Sequence, residues 1–138
     1  MSKLKRFSIS LDENLVAKFD KHIEQKDYPT RSKAIGDLIR EDLVKREWTE
    51  GREVAGVVTL VYNHHKRELV NTLTNVQHDF YHLIISTQHI HLDHDNCLEI
   101  VVVRGKSKEV EKLANTLRAV KGVKHGRLSI SSTGREII

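Results

Sequence analysis

Residues 5–11 alternate: Phe7, Ile9 and Leu11 fall on one face of an extended strand, and Arg6, Ser8 and Ser10 fall on the other. The period then lengthens. Leu15, Val16, Phe19 and Ile23 recur at helical spacing behind Asp12, an N-cap candidate, and Glu13 puts negative charge in the first turn, near the positive end of the helix dipole. This helix is expected to stop near Asp27. Tyr28-Pro29 enforces an extended connection, and Thr30 or Ser32 caps a second helix whose apolar stripe is Ala34, Ile35, Leu38, Ile39, Leu43 and Val44. The helical pattern breaks across residues 47–52, where Gly51 suits a helix end. A domain boundary is expected there, between residues 1–48 and 53–138.

The second half begins with a β-branched, apolar strand over 53–62. A helix follows over 66–80, from Leu69, Leu73, Val76 and Phe80, and then strands over 82–92 and 97–104. Ser107 caps a helix carrying Val110, Leu113, Ala114 and Leu117, Gly122 ends it, and a strand over 123–131 closes the chain. The whole is α+β, a βαα unit followed by βαββαβ. The latter is the ferredoxin-like order, a four-stranded antiparallel sheet with two helices on one face. Leu83, Ile85, His89, His91, Cys97, Glu99 and Val101 are expected on the face without helices, which makes that face a subunit interface.

The first strand has no partner within its own domain, so it should pair with the same strand of a second copy. Two such strands make an antiparallel ribbon, with Phe7, Ile9 and Leu11 against the helices and Arg6, Ser8 and Ser10 displayed outward. A ribbon of that width fits the DNA major groove, where arginine donates to guanine and short hydroxyls reach base edges. The helix N-terminus at Arg31 and Ser32 suits a phosphate. Over all 138 residues, 23 basic against 19 acidic side chains leave a net charge of +4. The excess is too mild to carry DNA binding by bulk charge, so Lys3, Lys5 and Arg6 must act by placement.

Composition bounds the rest. At 38% hydrophobic and 30% charged the chain is globular. A single cysteine excludes an intramolecular disulfide, and no apolar run approaches the roughly 20 residues of a membrane span. A cytoplasmic protein with a reduced thiol is expected, with neither a membrane nor a small organic substrate as partner.

That cysteine stands in a histidine-rich stretch. His78, His82, His89, His91 and His94 cluster in the sequence, and 87–99 reads as a hairpin turning at Asp93 to Asn96. With a three-residue loop Cys97 pairs opposite Asp93, on one face with His91 and His89. Two imidazoles and a thiolate are a transition-metal donor set. One strand face offers only three good donors, so His78 of a neighbouring chain is a natural fourth. His82 and His94 are nearby donors able to hold extra, weaker metal, although the ordinary reading of each, a solvated histidine, is the favoured one.

A ribbon-helix-helix unit followed by βαββαβ, with Gln77-His78, His89-x-His91, His94-Asp95 and Cys97-Leu98-Glu99-Ile100 in that order, closely resembles the nickel-responsive regulators of the NikR family. The resemblance covers nearly the full chain. It implies an ACT-like second domain and a homotetramer, a dimer of dimers. It also implies one Ni(II) per subunit, in a square-planar site of His89, His91 and Cys97 from one subunit and His78 from another. It implies a repressor of nickel-uptake genes that binds a palindromic double-stranded operator. Arg6, Ser8 and Ser10 match the family's base-contacting positions, and Lys66-Arg67 a phosphate-contacting basic pair. Gln77, Tyr62 and Glu99 are candidates to orient the ligands. The chain departs from the pattern where it carries Ser in place of Thr on the ribbon. Lys33 is a second departure. Some members have there an acidic residue that, with the one matching Asp37, helps form a cation site.

Two other readings use the same residues. A metal buffer or metallochaperone would use the ribbon only to dimerise, without operator binding. An enzyme would hold zinc at His89, His91 and Cys97 with Glu99 as a base, but the chain has neither a nucleophile elbow nor a pocket-forming Gly-rich loop. A protein without catalytic activity is therefore expected.

Overall fold

A computed structural model describes residues 3–138. The chain falls into two compact units, one ending at Ile39 and the other beginning at Arg40.

In the first unit, residues 3–12 precede helix α1 (Glu13–Gln25) and the start of helix α2 (Arg31–Thr49). Asp12 caps α1, its Oδ1 accepting from the backbone N–H of Asn14 at 2.9 Å and of Leu15 at 3.3 Å. Thr30 rather than Ser32 caps α2, its Oγ1 accepting from the N–H of Lys33 at 3.1 Å. The expected strand over 5–11 takes no regular structure in the single chain, because a strand is defined by its ladder and none of the described residues supplies one. Phe7, Ile9 and Leu11 stay exposed. With Leu15, Val16, Phe19, Ile35 and Leu38 nearby, Ile9 and Leu11 line an apolar groove of about 430 Å³.

The second unit contains the rest of α2, strand β1 (Glu53–Asn63), helix α3 (Arg67–Asp79), strand β2 (Ile84–His91), strand β3 (Asn96–Lys106), helix α4 (Ser107–Arg118) and strand β4 (Val123–Ile130). Its sheet order is β2-β3-β1-β4 with every pair antiparallel, the ferredoxin-like arrangement that the βαββαβ pattern predicts. Helix α2 runs two residues past the predicted boundary near 47, because Trp48 is core. Its ring is 3% exposed, its Nε1–H donates to the carbonyl of Ser131 at 2.8 Å, and its own carbonyl accepts from Ser107 Oγ at 2.7 Å. Gly56 is required opposite that ring, since a Cβ there would stand 3.0 Å from the Ser129 carbonyl and 3.3 Å from the indole.

The core lies between one sheet face and the two helices α3 and α4. Val54, Val58, Leu60 and Tyr62 of β1 and Cys97, Val101 and Val103 of β3 meet Leu69, Leu73, Val110, Leu113 and Leu117. This corrects one expectation: Cys97, Glu99 and Val101 belong to the helix-covered face. The reason is that β1 is apolar on both sides, so alternation alone cannot say which side the helices take. The uncovered face carries Val57, Thr59, Val61, Leu98, Ile100 and Val102, each only partly buried.

Strand β2 also begins later than expected. Residues 81–83 form a turn of 3-10 helix that turns Leu83 into the core, and the register slips between Ile84 and Ser86. That bulge takes Leu83 and Ile85 out of the alternation that holds His89 and His91, and Ile85 is left exposed.

Candidate metal centre

The register of β2 on β3 decides which donors meet. His91 pairs with Cys97 and His89 with Glu99, so Cys97 stands opposite His91 and not opposite Asp93 as the three-residue loop predicts. The turn is longer because Asp93 folds it from within. Its Oδ1 accepts from the backbone N–H of Asp95 at 2.9 Å and of Asn96 at 2.8 Å, and both its oxygens take the Asn96 amide. These donors hold the Asp93 carboxyl down, at about 2, with the Asn96 side chain the largest cause. A two-residue difference in register leaves side-chain parity unchanged. His89, His91 and Cys97 therefore still share a face, now the helix side of the edge strand, where the imidazoles remain exposed while Cys97 is buried and free.

Glu99 organises this edge. Only 2% exposed, it accepts from Tyr62 Oη at 3.0 Å and Gln77 Nε2 at 2.9 Å, and its Oε1 lies 3.0 Å from His89 Nε2. Two hydrogen-bond donors, Tyr62 and Gln77, compensate a carboxylate drawn out of water, with the His89 ring close beside it. With Nε2 of His89 facing Glu99, Nδ1 is the ring nitrogen free of that contact. The Tyr62 hydroxyl is pushed well above its ordinary range, first by burial and then by the charge of Glu99, so it stays protonated and donates. Thus Tyr62, Gln77 and Glu99, expected only as candidates to orient ligands, form one hydrogen-bonded group beside His89.

His78 is exposed near the end of α3, its ring 6.4 Å from that of Tyr81. Among the described residues, the set of three or more His, Cys, Asp or Glu donors whose ligand atoms lie within 4.8 Å of one another is His65, His94 and Asp95. The single chain therefore aligns His89, His91 and Cys97 on one face without closing them to that distance. Of the three, the sequence offers His94 as a metal donor and Asp95 only as part of the His94-Asp95 motif and the turn, and it does not mark His65. His64 was missed as well: its ring lies edge-on to His91, with centroids 4.7 Å apart. Partial burial, then His65 and His91, lower its affinity for a proton. The doublet His64-His65 just after a strand was the available signal.

The candidate DNA-contacting residues are all exposed: Arg6, Ser8 and Ser10 in segment 3–12, Arg31 and Ser32 at the start of α2, and Lys66 and Arg67 at the start of α3. Arg31 is engaged, its guanidinium gripping Asp20 through Nε at 2.8 Å and a terminal nitrogen at 2.6 Å. That pair lowers the Asp20 pKa and raises that of Arg31. Asp37 is met by the Lys33 ammonium at 2.5 Å. Lys66 and Arg67 line an open cleft of about 650 Å³ with Lys121, a third cation brought in by the turn after α4.

These features agree with what the chain is similar to. Residues 55–131 match the model for the NikR C-terminal nickel-binding domain, and residues 5–46 match that for the ribbon-helix-helix proteins of the copG family. A protein of Syntrophus aciditrophicus named "Putative nickel-responsive regulator" is 56% identical over 135 residues, 98% of each chain. One of the same name from Chlorobium limicola is 56% identical over 134 residues, covering 97% of this chain and all of its own. Among solved structures, an uncharacterised protein of Thermotoga maritima matches 57% of this chain and 98% of its own at 12% identity with a TM-score of 0.52, a likeness of fold alone. No helix among the described residues is long and apolar enough to cross a membrane. A ribbon-helix-helix unit joined to a domain whose sheet edge carries paired histidines, a buried thiol and a buried carboxylate is matched over nearly its full length by such relatives, and the chain belongs to the NikR family of nickel-responsive regulators, which are DNA-binding regulators rather than enzymes.

Proposed function

We propose that the protein is a nickel-dependent repressor of nickel-uptake genes. It acts in the cytoplasm as a homotetramer, a dimer of dimers, and binds a palindromic operator with one Ni(II) held per subunit. The observation that carries this reading is the cross-strand pairing of His91 with Cys97 and of His89 with Glu99, with His89 Nε2 3.0 Å from that buried carboxylate. The donors fit the ion. A thiolate and imidazoles suit a borderline transition metal, and a carboxylate placed behind a ligating ring, as Glu99 is behind His89, would fix the ring and raise its basicity. His89, His91 and Cys97 would hold the metal in one subunit, and His78, exposed on α3, would reach it from another.

The partly exposed apolar sheet face, with Ile100, Val102 and Val57, supplies a surface for joining subunits. In the other unit the groove containing Ile9 and Leu11 suits the same unit of a second copy. Its pairing would turn segment 5–11 into the ribbon that shows Arg6, Ser8 and Ser10 to base edges. Lys66, Arg67 and Lys121 would bind the DNA backbone, and Ser32 the phosphate at the start of α2. Arg31 joins them by exchanging Asp20 for phosphate.

Nickel, when bound, supplies a link between subunits through shared ligands. Differential affinity is what regulation needs: each tenfold preference of the metal for the DNA-competent arrangement contributes about 1.4 kcal/mol of coupling. The test is operator binding, by fluorescence anisotropy, of the full chain and of Cys97→Ala with and without nickel. Loss of the nickel-stimulated component in the variant is the expected result. Full stimulation in Cys97→Ala would overturn the mechanism.

A further inference from the structure

We propose that His65, His94 and Asp95 form a second transition-metal site, outside the thiolate site, that takes a borderline divalent ion through nitrogen and oxygen donors alone. His94 Nδ1 lies 3.0 Å from Asp95 Oδ1, His65 Nε2 lies 3.7 Å from that same oxygen, and His65 Nε2 lies 2.8 Å from the carbonyl oxygen of His94. An ion with bonds of about 2.0–2.1 Å sets neighbouring ligands roughly 3–3.4 Å apart. The observed spacings bracket that range, so one ion can be shared by two imidazoles, a carboxylate and a carbonyl with little movement.

The frame is already in place. The backbone N–H of His64 donates to the carbonyl of Asp95 at 3.2 Å, which ties the loop after β1 to the β2–β3 turn. On one side, the N–H of His65 donates to Asn63 Oδ1 at 2.9 Å. On the other, Asp93 holds the N–H groups of Asp95 and Asn96 at 2.9 and 2.8 Å. Both ligand-bearing segments are thus set by bonds that do not use the ligand atoms, the condition for a preorganised site. The donors are half or more exposed, so water completes the coordination and binding is weaker than at a buried thiolate. The rings of His91, His64, His65 and His94 follow one another at centroid distances of 4.7, 4.2 and 5.1 Å, which places this site beside the first without a shared ligand.

The site needs none of the donors of the thiolate centre, so the two can be tested apart. Full-length protein is dialysed against nickel up to millimolar concentration and metal per chain is measured, with sulfur-to-metal absorption recorded in parallel. His65→Ala/His94→Ala is expected to lose one equivalent per chain while keeping that absorption. Cys97→Ala is expected to lose the absorption and retain the equivalent that the double variant lacks. Asp95→Asn should weaken the same equivalent alone. The proposal is overturned if the double variant binds as much nickel as the parent chain, or if the parent chain takes up no equivalent beyond the sulfur-bound one. Loss of the sulfur band in the parent chain would instead count against the thiolate centre.

Discussion

The Nε2 atom of His89 lies 3.0 Å from Oε1 of Glu99, a carboxylate only 2% exposed that also accepts from Tyr62 and Gln77. An exposed ligand candidate is thereby anchored to the core by a group that water scarcely reaches. Glu99→Gln keeps the shape but replaces one acceptor oxygen with a donating amide nitrogen, so the bonds from Tyr62 and Gln77 to two separate oxygens cannot both be kept. Nickel affinity is expected to fall about 10–100-fold, the usual cost of losing an outer partner. Competition against a chelator measures it. Unchanged affinity would mean that Glu99 is only a core hydrogen-bond hub.

Arg6 separates a regulator from a metal buffer. Arg6→Ala should weaken operator binding by about 1–3 kcal/mol and relax preference at the base it reads, while nickel uptake per chain stays the same. Gel shift on matched and mismatched operators, alongside metal analysis, gives both readings. If operator affinity is untouched, the ribbon does not read DNA through this residue.

Asp93 carries a pH dependence whose sign follows from its donors. Its carboxyl is lowered from 3.8 to about 2 by hydrogen bonds from Asn96 and Asp95 that only the folded turn provides. A group depressed on folding contributes stability that is complete above its unfolded value and is lost as pH falls through the folded one. The contribution of Asp93 is therefore present above pH 3.8 and disappears on approach to pH 2. Carboxyl chemical shifts of Asp93 followed from pH 6 to 1.5 should show a midpoint well below that of an ordinary aspartate, and Asp93→Ala should abolish this part of the acid sensitivity.

Gly122 turns the chain from α4 into β4 with φ at +101°, and a Cβ there would stand 3.2 Å from a Leu69 methyl. Both backbone strain and contact oppose a side chain. Gly122→Ala should destabilise the protein by more than about 1 kcal/mol, seen as a lower midpoint in thermal or urea denaturation with native secondary structure at low temperature. An unchanged midpoint would show that the turn relaxes at no cost.

By itself the sequence determined the kinds and order of the elements. The two-residue alternation of Phe7, Ile9 and Leu11 and the helical spacing of Leu113, Ala114 and Leu117 are imposed by backbone geometry within a few residues. The same two-residue period keeps His89, His91 and Cys97 on one face even though the observed register differs by two from that of a three-residue loop, since an even shift preserves parity.

Only the tertiary structure decided which face that was. β1 is apolar on both sides, so helices could cover either, and their packing put Cys97 and Glu99 into the core while the edge position of β2 left the imidazoles in water. It also decided that Glu99, Tyr62 and Gln77 meet, from three elements distant in sequence, and that His65 lies beside His94 and Asp95. Such meetings depend on long-range pairing and on the turn that Asp93 closes from within, which local periodicity does not encode.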